Sequence, residues 1–382
     1  AYLRLAMMFA EIIGQESVIQ KLRNAKKDGR VAHAQLFLGP EGSGNFAIAL
    51  AYAQFLNCPN ASELDSCGTC PTCKKISNIQ YADLHFSFPF YNKPGKTDTC
   101  TDDFGSEFRN LILRSPYFTY DQWVEECSKD HKALLFSVKE GANILHKLSL
   151  TSYEGQYKII VIWKPELFKA DIANMLLKIV EEPPKNTLFF FVANSSENIL
   201  NTILSRVQII QVPKLKSSVI QEELTRIGVD AGKSEAIAHY ADGDWCAAQN
   251  LIENEDPNEF LAVQFQSWMR NCYSKKISAL FSWSAEMADQ SRERQKQFLR
   301  YCLHQIRQNL ILNYSNDSSL AQLTEKERAF SSKFSPFINH LNVEDLMLEL
   351  EKAYTCVNQN VNPKILFMDL SIKIFRLLQR RQ

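Results

Sequence analysis

Residues 39–50 read GPEGSGNFAIAL and follow the apolar run Ala34-Gln35-Leu36-Phe37-Leu38. A short apolar strand, a glycine-rich turn and a helix-forming segment are the layout of a phosphate-binding loop, in which backbone N–H groups at a helix N-terminus face an anion. The pattern G-x-x-x-x-G-K-[ST] falls with its glycines on Gly39 and Gly44, and Gly42 lies between them. Its lysine position holds Asn45, and its magnesium-binding hydroxyl position holds Phe46. The backbone elements are therefore present and both working side chains are absent. Phosphate could still rest on Gly39, Gly42, Gly44 and Asn45. Hydrolysis is not supported, because nothing neutralises the β/γ oxygens or holds magnesium. The competing reading is a plain glycine turn between strand and helix.

Working outward, KIIVIW (158–163), TLFFFVAN (187–194) and VQIIQV (207–212) read as buried strands. Helical patterns cover about 9–27, 47–56, 134–148 and 168–182, the last stopped by Pro183-Pro184. Apolar strands alternating with helices predict an α/β domain built on a parallel sheet covered on both faces. In ATPases of this type a second strand ends in acidic residues. Here KIIVIW ends in Trp163-Lys164-Pro165, and Glu166 reads as a solvated turn residue. After Pro213 only helical periods remain, so the fold class is α/β followed by all-α, with segments 1–213, 214–256 and 257–382. Residues 90–130 show no clear period and read as an inserted, partly irregular segment. The weakest point of the last segment is Asn313–Ser319. His33 is expected to pack beside the sheet start, His85 to be a satisfied loop histidine, and Phe189, Phe190 and Phe191 to be core.

Lys plus Arg equals Asp plus Glu at 43 each, so whole-chain charge argues for neither nucleic acid nor membrane. No run approaches the roughly 18–20 apolar residues that span a bilayer. The N-terminal stretch lacks a small-residue cleavage site, Met7 or Met8 reads as the translation start, and the compartment reads as cytoplasmic. Of ten cysteines, Cys58, Cys67, Cys70 and Cys73 cluster as C-x8-C-x2-C-x2-C, with Gly68 and Pro71 supplying the bend. Four sulfurs at this spacing suit a closed, structural Zn2+ site. An iron–sulfur cluster is the competitor, although the fourth cysteine and proline of the ferredoxin run are replaced by Lys74-Lys75. Unrelated thiols are the third reading, and the other six cysteines read as core or incidental.

The stretches Arg30–Phe37 (RVAHAQLF), the four-cysteine insert after the glycine turn's helix, Asn174–Pro184 (NMLLKIVEEPP) and Leu204-Ser205-Arg206 resemble bacterial DNA polymerase III clamp-loader subunits. The resemblance is close through about residue 250 and weaker beyond. It implies an AAA+ domain with a zinc module, a small helical lid (214–256) and a helical collar (257–382) that joins a five-membered ring. Within the family an intact phosphate loop marks the gamma/tau motor, and a degenerate one marks the delta-prime type, which this chain resembles. The resemblance also implies that Ser205 and Arg206 reach the ATP of a neighbouring subunit, Arg206 as an arginine finger. Val207 stands where the family usually has Cys. The family's lid pattern G-x-x-R-x-A reads Gly243-Asp244-Trp245-Cys246-Ala247-Ala248, with Cys246 in the arginine position. The implied partners are gamma/tau and delta subunits in a hetero-pentameric ring, the sliding clamp and primed DNA, and the implied cofactor is structural Zn2+ with no ATP hydrolysed by this chain. A divergent gamma/tau-type ATPase and a zinc-bearing adaptor unconnected with replication are the rival readings.

Overall fold

The computed structural model describes residues 7–93, 95, 99–127, 134–149, 155–253, 257–314, 323, 325–358 and 361–380. Residues 1–6, the expected boundary at 254–256, and most of the expected break at 313–319 lie outside the described residues. The chain divides into two compact units, Ala1–Asn250 and Leu251–Gln382.

The first unit is built on five parallel strands: β1 (Ala34–Leu38), β2 (Leu84–Ser87), β3 (Lys158–Trp163), β4 (Thr187–Ala193) and β5 (Gln208–Gln211). Their order across the sheet is β2-β3-β4-β1-β5. Every residue of β1, β3 and β4 is buried, as expected of strands covered on both faces. Strand β5 corrects an expectation. It is an edge strand with Ile209 43% exposed, so its apolar run is not buried. Strand β2 was not anticipated, and it carries His85, which therefore sits on a strand rather than in a loop. Burial, with Lys147 and Lys158 nearby, pushes the His85 imidazole down to about 4. His33 is exposed, and only its carbonyl joins the sheet, accepting from Phe189 N.

Helix α1 (Glu16–Lys27) is shorter than predicted, because Gly14 and Gln15 take left-handed backbone and separate it from a 3-10 turn at Phe9–Glu11. Helix α2 (Asn45–Asn57) is buried along its whole length, and Tyr52 stacks on Phe190 of β4 at 5.6 Å. Helix α3 (Pro71–Ser77) closes the cysteine segment. The expected irregular insert contains two helices, α4 (Gly105–Arg114) and α5 (Tyr120–Cys127). Their buried positions, Phe108, Leu111 and Ile112, then Trp123, Val124 and Cys127, keep helical spacing, but each helix is too short to show a period in a window of 11–18 residues. The opposite sheet face is covered by α6 (Val138–Ser149), α7 (Ala170–Glu181) and α8 (Asn201–Leu204), whose Ile144, Leu148, Ile172, Leu176, Val180 and Ile203 meet Leu36, Ile160, Phe189 and Phe191. Helices α9 (Ser217–Arg226), α10 (Ala231–Tyr240) and α11 (Trp245–Glu253) follow the last strand.

The second unit is all helical: α12 (Pro257–Tyr273), α13 (Ile277–Ala288), α14 (Arg292–Tyr314), α15 (Glu325–Phe334), α16 (Val343–Asn358) and α17 (Pro363–Leu377). Trp268 and Trp283 stack at 4.8 Å in its core. Each indole N–H is satisfied, by Ser371 Oγ at 2.8 Å and by Gln264 Oε1 at 2.7 Å, as buried donors require. Among the described residues no helix is long and apolar enough to cross a membrane.

Candidate functional site

Register brings the glycine turn to the carboxyl ends of the central strands. Leu38 lies opposite Ala193, and Gly39 N continues the ladder by donating to Ala193 O at 3.2 Å. In open parallel sheets this edge is where ligands bind. Gly42 and Gly44 have φ of +70° and +88°, a backbone that side chains other than glycine's rarely adopt. The turn thus delivers α2 with its N-terminus facing the crevice, as a phosphate loop would.

Asn45 does not face that crevice as a lysine would. Its amide Nδ2 donates to Gly39 O and to Ala193 O, both at 3.1 Å, and its Oδ1 accepts from Phe46 N at 2.8 Å. The side chain is buried and spent on the loop's own polar groups. A short neutral amide here closes the turn on itself, and no ammonium projects toward a phosphate.

The expected magnesium position is filled by carbon. Phe46 packs at 5.0 Å on Phe118, 6.0 Å on Phe108 and 6.5 Å on Trp163. Trp163, where the first carboxylate would stand, is 4% exposed. Glu166 corrects the sequence reading. It is half-buried rather than solvated, ion-paired with Lys164 Nζ at 3.5 Å, and its Oε1 accepts from Asn194 N at 3.4 Å. The turn that carries it begins at Lys164 in the left-handed region, which swings the carboxylate back toward the strand ends. Glu166 thus commits Oε1 to Lys164 and to the backbone of Asn194, while its buried Oε2 has no hydrogen-bond partner among the described residues. The crevice bounded by Glu41, Gly42, Asn45, Trp163, Lys164 and Cys246 encloses ≈ 20 Å³. One water needs about 10–15 Å³ on this measure.

The helices after β5 close over the turn. Trp245 N donates to Gly42 O at 3.2 Å, and Asp244 Oδ1 accepts from Ala247 N at 3.0 Å to cap the start of α11. A Cβ on Gly42 would lie 1.9 Å from Asp244 Oδ1 and 2.7 Å from Trp245 N. Gly42→Ala is therefore expected to lose the cap and force the strained φ. The cost should be about 2–3 kcal/mol, read as a fall of roughly 5–10 °C in the thermal midpoint of the first unit. An unchanged midpoint would mean that this junction is loose. Gln15, which the sequence did not single out, joins the same junction. Its Nε2 donates to Ser43 O at 2.9 Å and to Pro213 O at 2.6 Å, linking the turn to the exit of β5.

Ser205 and Arg206 stand apart from this crevice and are not part of its lining. Helix α8 is a single turn anchored by buried Ile203. It ends with Ser205 N donating to Asn201 O and Arg206 N to Ile203 O. Both residues are exposed. The guanidinium donates through Nε to Glu181 Oε2 at 3.0 Å and through Nη1 to Thr202 O at 3.0 Å and Ser205 Oγ at 3.3 Å. Glu181, at the end of α7 within the EEPP run, lies 25 residues away in sequence, a separation at which no local pattern reveals the pairing.

All four clustered cysteines converge. Cys58 follows α2, Cys70 caps α3, and every ligand sulfur lies within 4.8 Å of the others. Measured edges are 3.6 Å (Cys58–Cys67), 3.9 Å (Cys58–Cys70) and 3.9 Å (Cys67–Cys73). A Zn–S bond of about 2.3 Å would separate tetrahedral sulfurs by about 3.8 Å. Backbone N–H groups point at three of the sulfurs, from Cys67 to Cys58, Cys70 to Cys67 and Cys73 to Cys70, at 3.3, 3.3 and 3.4 Å. Such donors favour thiolates. The group could hold one metal ion. A polynuclear cluster, with sulfides between its metals, would spread the same four thiolates further apart.

Comparison with known proteins gives the chain's family. The family model described as DNA polymerase III, delta subunit, matches residues 14–216. The tau subunit of DNA polymerase III from Bacillus subtilis is 25% identical over 251 residues, which is 64% of this chain and 37% of that protein. Protein STICHEL of Arabidopsis thaliana is 29% identical over 253 residues, 65% of this chain and 17% of that protein. The chain thus spans well under half the length of either relative. A solved DNA polymerase III gamma subunit-related protein from Thermotoga maritima covers 95% of this chain and 99% of its own, at 13% identity and a TM-score of 0.40, too distant to argue from. Because the family match takes in more than half of its 382 residues, the chain belongs to the DNA polymerase III delta-subunit family.

Proposed function

We propose that this chain is the non-hydrolysing, delta-prime-type member of a clamp loader, supplying Arg206 to ATP held by a neighbouring gamma/tau-type subunit. One contrast carries the reading. The chain's own phosphate loop is closed by Asn45 and filled around Phe46 and Trp163, while Arg206 stands exposed outside it. A planar cation that always carries charge is suited to neutralising the phosphoryl group in transfer, and Ser205 holds its Nη1 side.

In this reading residues 1–213 form the AAA+ domain, 214–256 its lid and 257–382 the collar that joins a hetero-pentameric ring with gamma/tau and delta subunits. The second unit exposes Ile277 (69%) and Phe281 (54%) on α13 and Ile365 (68%) on α17, apolar side chains that such a ring contact would cover. With its partners the chain would help place the sliding clamp on primed DNA, touching DNA mainly through phosphates. The four cysteines would hold structural Zn2+. The rival reading, a divergent gamma/tau-type ATPase, requires the crevice to admit a nucleotide and its magnesium. The test is hydrolysis by a loader reconstituted with Arg206→Ala beside wild type, with the isolated chain as control. Loss of rate in an intact ring supports the trans role, and hydrolysis by the isolated chain would revive the rival.

A further inference from the structure

We infer that Pro116, Tyr117 and Phe118, at the corner between α4 and α5, are a built-in replacement for nucleotide that holds the glycine turn and the helices after β5 together without any phosphate. The assignment is independent of whether Arg206 acts on a neighbour.

Three observations converge on these residues. The first is volume. They line the same crevice as Gly42, Gly44, Asn45, Trp163 and Cys246, and what they leave is ≈ 20 Å³. A pocket for an organic ligand runs to about 300–1,000 Å³. The second is fit. Tyr117 is 4% exposed and lies so close to the turn that a Cβ on Gly44 would come within 3.0 Å of its ring. Its hydroxyl accepts from Ile13 N at 3.0 Å, which ties the chain entering α1 to the crevice. Phe118 lies 5.0 Å from both Phe46 and Trp163, bridging the two positions where a magnesium site would have been.

The third is support from behind. Thr119 N donates to Gln122 Oε1 at 2.9 Å and Gln122 N to Thr119 Oγ1 at 3.1 Å, a reciprocal cap that sets the corner. Tyr117 N donates to Ser115 Oγ at 3.1 Å, and Tyr120 N to Glu41 Oε1 of the glycine turn at 3.3 Å. Phe108 and Trp123 brace both helices on Phe88, the first stacked at 3.9 Å and the second edge-to-face at 5.1 Å. The aromatics therefore sit on a short connection that is capped at its α5 end and braced by the helices on either side.

A ligand between two parts of a protein sets their angle by contacting both. Here the aromatic corner stands in that place, against the glycine turn and on the same crevice as Cys246 of α11, so in this proposal the seating of α9–α11 on the sheet does not follow the nucleotide state. The experiment uses the full chain and ATP with Mg2+ as the probe, with backbone hydrogen exchange and thermal midpoint as readouts. Wild type is expected to show no midpoint shift with millimolar nucleotide, and slow exchange at Ile13 N and Trp245 N that ATP leaves unchanged. Tyr117→Ala/Phe118→Ala is expected to lower the midpoint by about 10 °C and to speed exchange at Trp245 by tenfold or more. Should the double variant fail to fold, Tyr117→Phe keeps the filling but removes the acceptor, and exchange should then rise at Ile13 alone. ATP binding by wild type with altered protection over 39–46 would overturn the proposal. So would unchanged Trp245 exchange in the double variant, or unchanged Ile13 exchange in Tyr117→Phe.

Discussion

Replacing Arg206 with alanine is expected to slow single-turnover hydrolysis in a reconstituted loader about 10³-fold at the neighbouring ATP site that Arg206 is proposed to reach. The steady-state rate of the whole ring falls by that much only if its sites act in concert, so the single-turnover rate is the measurement to make. Arg206→Lys should recover little of the loss, because an ammonium lacks the flat fork that spans two phosphoryl oxygens. Stability should scarcely move. The ion pair that Arg206 loses, with Glu181, joins side chains 34% and 58% exposed, and such pairs contribute about 0–1 kcal/mol. Rate and stability therefore separate cleanly in this variant. Undiminished hydrolysis in an assembled ring would leave Arg206 a surface residue paired with Glu181 and would sink the trans role.

The proposed zinc site predicts the second large effect, on withdrawal of the metal or of one of the four cysteines. Cys73 is fully buried, so Cys73→Ser removes one of four sulfurs and leaves a hydroxyl where neither water nor a good partner reaches it. Structural zinc in isolated finger peptides contributes about 10–16 kcal/mol. Here part of the module has other support, because Gln54 of α2 bonds Ser66 and Ser77, and Asp65 accepts from Phe9 N and Ala10 N. We therefore expect a smaller loss, about 3–5 kcal/mol, read as a midpoint fall of roughly 10 °C for a unit of this size. A strong chelator should lower wild type by a similar amount and the variant no further, and elemental analysis should find one zinc per chain. Iron with visible absorbance, or a wild type indifferent to metal removal, would defeat the assignment.

Legibility in the sequence followed burial on both faces. Strands β1, β3 and β4 are continuous apolar runs because helices cover each side of them, and a run of that kind is visible without any neighbour. Strand β2 is a four-residue edge with mixed burial around His85, so its pairing with β3 could be found only once the sheet existed. For β5 the reverse error arose. Gln208–Gln211 looks like core, yet as the other edge strand it stays exposed.

The sequence alone determined the parallel α/β core followed by helices, the cysteine quartet, and the identity of Asn45, Trp163 and Cys246 where a lysine, an acid and an arginine were expected. Each is a matter of residue identity or of spacing within a short stretch. Tertiary structure alone decided what those absences became. Asn45 closing the turn through Ala193, Tyr117 meeting Ile13 and Arg206 resting on Glu181 join residues 148, 104 and 25 positions apart. Contacts at such separations are set by how strands order and helices pack, and local propensity carries no trace of them.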